Sequence, residues 1–440
     1  MRNSLLSIGL CTVTSIFIGC GSEKSSPEAG VTLSINNPEP KVDPSQPAEQ
    51  KAVAELMKKA QAFAARGMGA RAIEALGQGI GLAPDNANLY RMRADVYNAS
   101  GEYASAMADY SAAVRLFPQD PKLHNVRGFF LMGRGDAKRA KADFSKAVEL
   151  NPKFSEAWNN RGLIFLAAND IKKAIADFSQ AIKIKDDYVD AHNNLGFAYY
   201  KAKMFDKAEA SLNRALQINP DYVNAYNNRG LVRLQTKEAD KAVADFTEVI
   251  KRNRFDVQHY VSRRVALLAL NQTAAAAADA ERINWLTGLN TMNSRVNQDR
   301  GNPTVYINRG RYFEKAGEQE HAIVDYTRAL QLNPGSNDAL VRRAAALNVI
   351  GRYDQAIADC DSALRLADSP TAHSVRGDAW MKKGDIDQAI ADFELAERFD
   401  SSVAQAYLLR AEKMEKAGDT AAAAEDRRHA KSLDPTATLQ

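Results

Sequence analysis

The feature that most constrains this chain is a repeat of 34 residues. The stretch at residues 155–188 finds a related copy of itself when the sequence is shifted by 34 residues in either direction. The copies keep small, aromatic and charged residues at the same offsets. A fixed period of this length is typical of stacked supersecondary units, each of which covers the apolar face of its neighbour. The sequence therefore predicts an array of stacked repeats.

Each copy contains two amphipathic segments. In residues 155–188, Trp158 and Gly162 share one face of a first helix, while Ala174 and Phe178 share one face of a second. The small residues let the two backbones approach closely, and the aromatic rings fill the remaining space. The unit is therefore predicted to be a helix hairpin, whose first helix is called A and whose second is called B.

This order of residues resembles the tetratricopeptide repeat: a Trp-like residue, then Gly, an aromatic, Ala, an aromatic and Ala, with Pro closing many copies. Aligned on the Gly162 position, the chain contains eleven such units. They begin near Val53, Ala87, Pro121, Ser155, Val189, Val223, Val257, Pro303, Asn337, Pro370 and Ala404. The resemblance implies an all-α fold, a right-handed α-solenoid of about eleven helix hairpins.

The N-terminus has the pattern of a bacterial lipoprotein signal. Arg2 precedes a mostly apolar run at residues 5–18, which is too short for a comfortable membrane span, and Cys20 follows. The ending resembles a lipobox, which implies that residues 1–19 are a signal peptide and that Cys20 is acylated, palmitate being one possible chain. The alternative is an ordinary signal peptide followed by a chance Cys. Because Gly21 and not Asp follows Cys20, analogy with enterobacterial sorting implies the outer membrane, with the chain facing the periplasm.

The remaining sequence is expected to divide into a tether and two blocks of repeats. Residues 20–50 are rich in Pro, Ser, Glu and Asn without a helical apolar period, so we expect a disordered tether. Units one to seven then occupy residues 51–302, and units eight to eleven occupy 303–440. Unit seven has 46 residues, with the surplus at about 284–300. We interpret the surplus as a lengthened helix or a tolerated surface insertion; the alternative is a hinge or partner contact that carries an exposed Trp285.

A second regularity predicts a salt bridge inside each hairpin. An Arg before the Gly position and an Asp before the Phe178 position occur together in nine units, and both are missing from the other two. Pairing with the next unit would leave Asp177 and Arg229 unmatched, so the joint absence favours pairing within a unit. We therefore predict partly buried structural ion pairs, such as Arg161 with Asp177 and Arg229 with Asp245.

The alignment of the units contains no catalytic constellation. His124, His192 and His373 take the Trp158 position, where a flat ring packs, which favours packing over metal binding. Cys360 takes an aromatic core position, so we expect a buried hydrophobe and not a nucleophile. The net charge is only +4 and the two signs are interleaved, which argues against a nucleic-acid-binding stripe. The sequence therefore predicts a non-enzymatic protein with no catalytic residues, no metal site and no cofactor.

The remaining candidate site is the inner surface of the predicted array. In tetratricopeptide arrays the A helices line a concave groove, and the resemblance implies that three positions around the Gly position face it. In units three to seven, these positions place Asn residues beside apolar ones. The predicted groove residues are Asn125, Asn159, Asn160, Asn193, Asn194, Asn227, Asn228, Phe129, Leu163, Phe197, Tyr200 and Leu231.

An Asn row beside an apolar row suits an extended peptide. Amide side chains can donate to and accept from a peptide backbone, while apolar pockets receive alternate side chains. The Asn row resembles the asparagine ladder of some tetratricopeptide grooves. The alternative is that the apolar residues pack against the next unit and that the Asn residues only link adjacent helices.

The favoured function is a lipid-anchored, protein-binding scaffold. Its partner is expected to be a protein or peptide, and the lipid is expected to be its only link to the membrane. Lipoproteins of similar architecture imply a role as an adaptor for cell-wall enzymes or as an assembly factor for secretins. The second hypothesis is a homo-oligomeric structural protein whose groove is filled by a neighbouring copy.

Overall fold

The computed structural model describes residues 47–438, and in that part of the chain the backbone forms 22 α-helices and no strand. The predicted signal peptide, Cys20 and most of the predicted tether lie outside the described residues. The helices are α1 Pro47–Ala65, α2 Gly69–Leu82, α3 Ala87–Ala99, α4 Tyr103–Leu116, α5 Pro121–Gly133, α6 Ala137–Leu150, α7 Ser155–Ala167, α8 Ile171–Ile184, α9 Val189–Lys201, α10 Phe205–Ile218, α11 Val223–Gln235, α12 Ala239–Arg252, α13 Val257–Ala269, α14 Thr273–Gln298, α15 Pro303–Glu314, α16 Gln319–Leu332, α17 Asn337–Val349, α18 Tyr353–Leu366, α19 Pro370–Lys383, α20 Ile386–Leu395, α21 Ser401–Lys416 and α22 Thr420–Leu433. Odd-numbered helices are the A helices and even-numbered ones the B helices of the hairpins, so the fold is an all-α solenoid.

Nine A helices begin at the residue that the alignment predicts, and two begin earlier. The first, α1, begins at Pro47, so the predicted tether at 20–50 extends a few residues too far. The other, α21, begins at Ser401 instead of Ala404, where Asp400 caps the helix by accepting from the backbone N–H groups of Ser402 and Val403. Local capping therefore moves a helix start that the period alone would place three residues later.

The turn from each A helix to its B helix contains one residue in the left-handed conformation. Seven of the eleven described turns use Gly at this position, which carries no Cβ penalty there. Four consecutive units use Asn169, Lys203, Lys237 and Asn271 instead, with φ between 57° and 64°. The repeated turn keeps each A helix antiparallel to its own B helix.

The seam inside each hairpin is built from a small residue facing an aromatic ring, as the sequence predicts. A Cβ on Gly162 would lie 2.7 Å from Cε1 of Phe178, whose side chain is fully buried. Ala174 and Ala181, also fully buried, complete the same seam. The absence of a side chain at Gly162 therefore sets the distance between α7 and α8.

In several units the ring at the Trp158 position forms a hydrogen bond to the turn that precedes its helix. Trp158 Nε1 donates to the carbonyl oxygen of Pro152 at 3.0 Å. His124 places Nε2 at 2.9 Å from the carbonyl oxygen of Pro118, and His192 places Nε2 at 2.8 Å from that of Asp186. His124 and His192 thus bond to the preceding turn in the same way as the Trp, whereas His373 places Nε2 at 3.1 Å from Asp368 Oδ1 and Nδ1 at 2.8 Å from Asp392 Oδ1.

The described residues fall into two compact units, the first ending at Ala280 and the second beginning at Glu281. This division lies inside α14. Among the described helices, none has both the length and the apolar character that crossing a bilayer requires.

The surplus residues of unit seven lengthen its B helix, because α14 has 26 residues where the other B helices have 14 or fewer. This agrees with the interpretation as a lengthened helix, and Trp285 is half-buried and not exposed as the alternative required. Its ring stacks on Tyr312 at 5.8 Å, and the Arg282 guanidinium lies 4.1 Å from the ring. Gly288 makes room for this contact, since a Cβ there would clash with the Tyr312 hydroxyl.

Candidate functional site

The predicted Asn row is a buried ladder of amides that connects neighbouring A helices. Asn160 Nδ2 donates to Asn125 Oδ1 at 3.0 Å, and Asn194 Nδ2 donates to Asn159 Oδ1 at 3.0 Å. The next rung joins Asn228 Nδ2 to Asn193 Oδ1 at 2.9 Å. We call this set, Asn125, Asn159, Asn160, Asn193, Asn194, Asn227 and Asn228, the asparagine ladder.

The burial of the ladder corrects the expectation that its amides face an open groove. Asn193 and Asn194 have no exposed surface, and Asn159, Asn227 and Asn228 keep 3% or less. The reason is the reach of the side chains. The Asn two residues before the Gly position of one unit, such as Asn194, extends to the Asn three residues before the Gly position of the preceding unit, here Asn159. The ladder therefore links adjacent A helices, which is the alternative that the sequence left open.

The ladder ends at α13, where Val261 and Ser262 stand at the positions of the Asn pair. Asn227 Oδ1 consequently has no hydrogen-bond donor within the described residues, and neither does Asn228 Oδ1. Both oxygens are enclosed, so the end of the ladder keeps unpaired acceptors inside the protein.

The apolar row beside the ladder is partly open to solvent. On α7, Leu163 and Leu166 are buried, and Met132 and Phe197 from the two flanking A helices pack over them. On α5, Phe129 is 45% exposed. The predicted groove thus has a covered floor at α7 and apolar surface on both sides of it.

The longest open part of this row lies on three successive A helices, α9, α11 and α13. Each contributes two apolar side chains three residues apart, which places the two on one face of the helix. We call this set, Phe197, Tyr200, Leu231, Leu234, Val265 and Leu268, the apolar strip. The first four are half-buried, whereas Val265 is 52% and Leu268 44% exposed.

The base of the strip is rigid because its side chains also belong to the core. Phe197 and Tyr200 stack with ring centroids 5.9 Å apart, and burial raises the pKa of Tyr200 above its usual value. Leu231 and Leu234 pack on a cluster that contains Phe246. The strip therefore presents preformed apolar surface.

Two exposed cations are sequence neighbours of strip residues. Lys201 follows Tyr200 on α9, and Arg264 precedes Val265 on α13. Neither forms an ion pair with any residue in the part of the chain that the structure describes. Arg264 takes the position of Gly162, and Ala280 takes the position of Phe178.

All nine Arg–Asp pairs that the sequence predicts are formed, each within its own hairpin. In every pair, Nε donates to Oδ2 at 2.7–3.0 Å and Nη2 to Oδ1 at 2.6–2.9 Å. The pairs are Arg93–Asp109, Arg127–Asp143, Arg161–Asp177, Arg229–Asp245, Arg263–Asp279, Arg309–Asp325, Arg343–Asp359, Arg376–Asp392 and Arg410–Asp426. Their planar, two-bond geometry fixes helix A against helix B.

Several of these arginines also bond to the preceding helix B, which sequence reasoning missed. Arg229 Nη1 donates to Asn213 Oδ1 at 2.7 Å, and Arg343 Nη1 donates to Thr327 Oγ1 at 3.0 Å. The acceptor stands two residues after the Asp position of the preceding unit, an offset that the alignment could have revealed. The guanidinium thereby connects successive hairpins as well as the two helices of one hairpin.

The titratable groups near the core have structural partners. Burial alone would raise the pKa of Asp143, but the hydrogen bonds from Arg127 and His124 outweigh it and lower the pKa below its usual value. Burial raises the pKa of the Cys360 thiol to about 12. Among residues 47–438, no group of three or more His, Cys, Asp and Glu side chains is placed to hold a metal ion.

Models of the tetratricopeptide repeat match the sequence at many places. The model described as TPR repeat matches residues 162–203. Models described as tetratricopeptide repeat match residues 189–222, 57–121, 307–373, 144–176, 121–154 and 223–256. Together the matches cover residues 57–256 and 307–373, which is more than half of the chain. No curated protein matches the sequence.

Solved structures with a similar fold cover part of the chain. The pilF protein of Pseudomonas aeruginosa is 16% identical, with a TM-score of 0.43 over 48% of this chain and 96% of that one. YrrB, described as a protein with an unusual peptide-binding site, is 19% identical, with a TM-score of 0.36 over 46% of this chain and 99% of that one. A repeat protein of Parabacteroides merdae is 17% identical, with a TM-score of 0.34 over 68% of this chain and 99% of that one. The likeness concerns the fold alone.

Proposed function

Because this chain belongs to the tetratricopeptide repeat family, we propose that it is a non-enzymatic scaffold of the bacterial cell envelope that docks a partner protein on its A helices. Stacked helix hairpins of this family make protein-protein interaction scaffolds. The observation that carries the proposal is the apolar strip on α9, α11 and α13. Contiguous exposed apolar surface on a soluble domain commonly marks an interaction site.

The position of the strip supports docking on the A helices. Val265 and Leu268 leave about half of their side chains in water, although the same helix buries Ala266 and Leu267 in the core. Burying apolar surface contributes about 25 cal/mol per Å², so a partner that covers this strip gains binding free energy without any change in the scaffold. The rigid base keeps the ordering cost of binding low.

A photo-crosslinking experiment in the native envelope tests the docking. A photoreactive residue placed at Val265 is expected to give a defined crosslinked product, and Leu231→Glu is expected to abolish it. The matched control is Val349, which is 69% exposed on α17 outside the strip. The same product from position 349, or a product that survives Leu231→Glu, would rule out docking on the strip. A crosslinked dimer of the chain itself would favour the homo-oligomeric alternative.

The attachment to the envelope is the second part of the proposal. Acylation of Cys20 would anchor the chain, and the tether that follows would allow the repeats a reach on the order of 30 Å from an outer membrane on its periplasmic side. Metabolic labelling with an alkyne fatty acid, followed by membrane fractionation, tests this part. Labelling that persists in Cys20→Ser, or a chain that sediments with the inner membrane, would contradict the anchor or the location.

A further inference from the structure

We infer that the asparagine ladder makes units three to six a single cooperative block, whose hairpins unfold locally and refold together. This inference concerns the scaffold itself and is independent of any partner that docks on it. Three observations support it: the ladder is continuous, it is buried, and it begins and ends at defined units.

The central part of the ladder is a chain of amides that bond head to tail. Asn228 Nδ2 donates to Asn193 Oδ1 at 2.9 Å, and Asn193 Nδ2 donates to Asn194 Oδ1 at 3.2 Å. Asn194 Nδ2 in turn donates to Asn159 Oδ1 at 3.0 Å. The two amides of α9 therefore both donate and accept, so units four, five and six share one hydrogen-bond chain across α7, α9 and α11.

Burial turns this chain into a link between hairpins. Asn193 and Asn194 are fully buried, and Asn159 and Asn228 are nearly so. In a low-dielectric interior, hydrogen bonds are stronger than in water and neighbouring bonds polarise one another. When one hairpin unfolds, its neighbour loses both this hydrogen bond and the apolar cover of its A helix, so the two tend to unfold together.

The ladder starts at unit three. Asn160 Nδ2 donates to Asn125 Oδ1 at 3.0 Å, which joins α7 to α5, and we call this bond the first rung. Val126, beside Asn125, cannot continue the chain toward α3. In unit two the Asn125 position holds Arg91, which bonds to Asp95 on its own helix at 2.9 Å. The block therefore begins at α5.

The ladder ends at unit six, because Val261 and Ser262 of α13 replace the Asn pair. A different polar contact joins unit seven to unit six: Arg263 Nη1 donates to Thr247 Oγ1 at 3.3 Å, and the Arg263 side chain is partly exposed. This bond is longer and less enclosed than the rungs of the ladder. The block therefore ends at α12.

Native-state amide hydrogen exchange, combined with a core substitution away from the ladder, tests the block. Phe246 is fully buried in unit six, so Phe246→Leu weakens that hairpin while every Asn stays in place. The substitution is made in three backgrounds. These are the unaltered full chain, Asn125→Ala/Asn160→Ala, which removes the first rung, and the control Asn308→Ala, which changes an exposed Asn at the Asn160 position of unit eight.

In the unaltered chain and in the control, Phe246→Leu is expected to raise the exchange rates of α5 to α12 by one common factor of at least about fivefold. Helices outside the block should change less than about twofold. Without the first rung, α5 and α6 are expected to leave the common response while α7 to α12 keep it.

Three results would overturn the inference. The first is a response in any background that extends beyond α5–α12 or that decays from unit six within the block. The second is a response that still includes α5 and α6 after the first rung is removed. The third is loss of α5 and α6 from the response in the Asn308→Ala control. None of these results bears on docking at the apolar strip, which the crosslinking experiment tests separately.

Discussion

The salt bridge inside unit four offers a sharp test of how a hairpin is held together. Arg161 donates two hydrogen bonds to Asp177, both at 2.8 Å, and only 6% of the Asp177 side chain is exposed. Arg161→Leu leaves that carboxylate buried and unpaired, which costs about 3–5 kcal/mol of unfolding free energy. Asp177→Ser costs less, about 1–3 kcal/mol, because the long Arg161 side chain, 18% exposed, can move its charge into water.

The double variant is expected to be more stable than Arg161→Leu alone. Unit five shows why: it carries Leu195 and Ser211 at these two positions, and its hairpin has the same form as the others. Replacing a buried ion pair by apolar and neutral residues is often close to neutral. The loss of unfolding free energy in the double variant should therefore be smaller than the sum of the two single losses by at least about 3 kcal/mol.

The measurement must report on one hairpin, because repeat arrays unfold in parts and a single global transition is not assured. Amide hydrogen exchange of α7 and α8 supplies that local free energy for the wild type, both single variants and the double variant. Arg161→Lys, which keeps the charge but loses the planar fork, serves as the control and should lie between wild type and Arg161→Leu. Additive losses would refute a direct interaction between the two side chains.

Three further predictions concern packing, acid stability and the asparagine ladder. Gly162→Ala pushes a methyl group into the Phe178 ring and should lower the free energy of unfolding by about 1–3 kcal/mol. The control Gly133→Ala, with nothing within 4 Å of its new Cβ, should stabilise its helix. Thermal unfolding compares the two variants, and equal shifts in their melting temperatures would contradict the close packing of the seam. Because the pKa of Asp143 is lowered in the folded state, its contribution to stability is present above about pH 4 and is lost as the pH falls through its folded-state pKa. Asp143→Asn should therefore flatten the acid side of a profile of unfolding free energy against pH. An unchanged slope would contradict the ion pair of Asp143. Asn194→Ala leaves buried amide groups of its ladder partners unpaired and should lower the local free energy of exchange in α7 and α9 by about 1–3 kcal/mol; unchanged exchange would show that the ladder adds no stability.

The hairpins were predictable from the sequence because each one is specified by local periodicity. Within each helix the small and aromatic positions, such as Trp158 with Gly162 and Ala174 with Phe178, are four residues apart, so they specify two amphipathic helices and the seam between them. The ion pair of Arg161 with Asp177 was predictable for a different reason. The Arg and the Asp are missing together from the same two units, and this correlated loss indicates a contact that neither residue alone could show.

The exposure of the asparagine ladder was not predictable from the face that its residues occupy. Whether Asn159 is open or covered depends on how closely the next A helix packs, and period alone does not give that distance. A signal was present, however. Unit three has Asn125 but Val126 beside it, which is what the first member of a chain of donors requires, since it only has to accept.

The lengthened unit shows the same limit. A surplus of residues near Trp285 is visible in the sequence, but a helix, a loop and a hinge have similar local composition there. The decisive contact is the stack of Trp285 on Tyr312, which lies 27 residues further along the chain. Contacts at that sequence distance depend on how the following hairpin is placed.

The constant interval between the partners of each ion pair has an evolutionary consequence. Arg and Asp are always 16 residues apart within one hairpin, so a duplicated or deleted 34-residue segment carries both partners with it. Such a duplication or deletion therefore leaves no buried charge without its partner. An ancestral gene could therefore gain or lose whole units by recombination with each of these ion pairs kept complete.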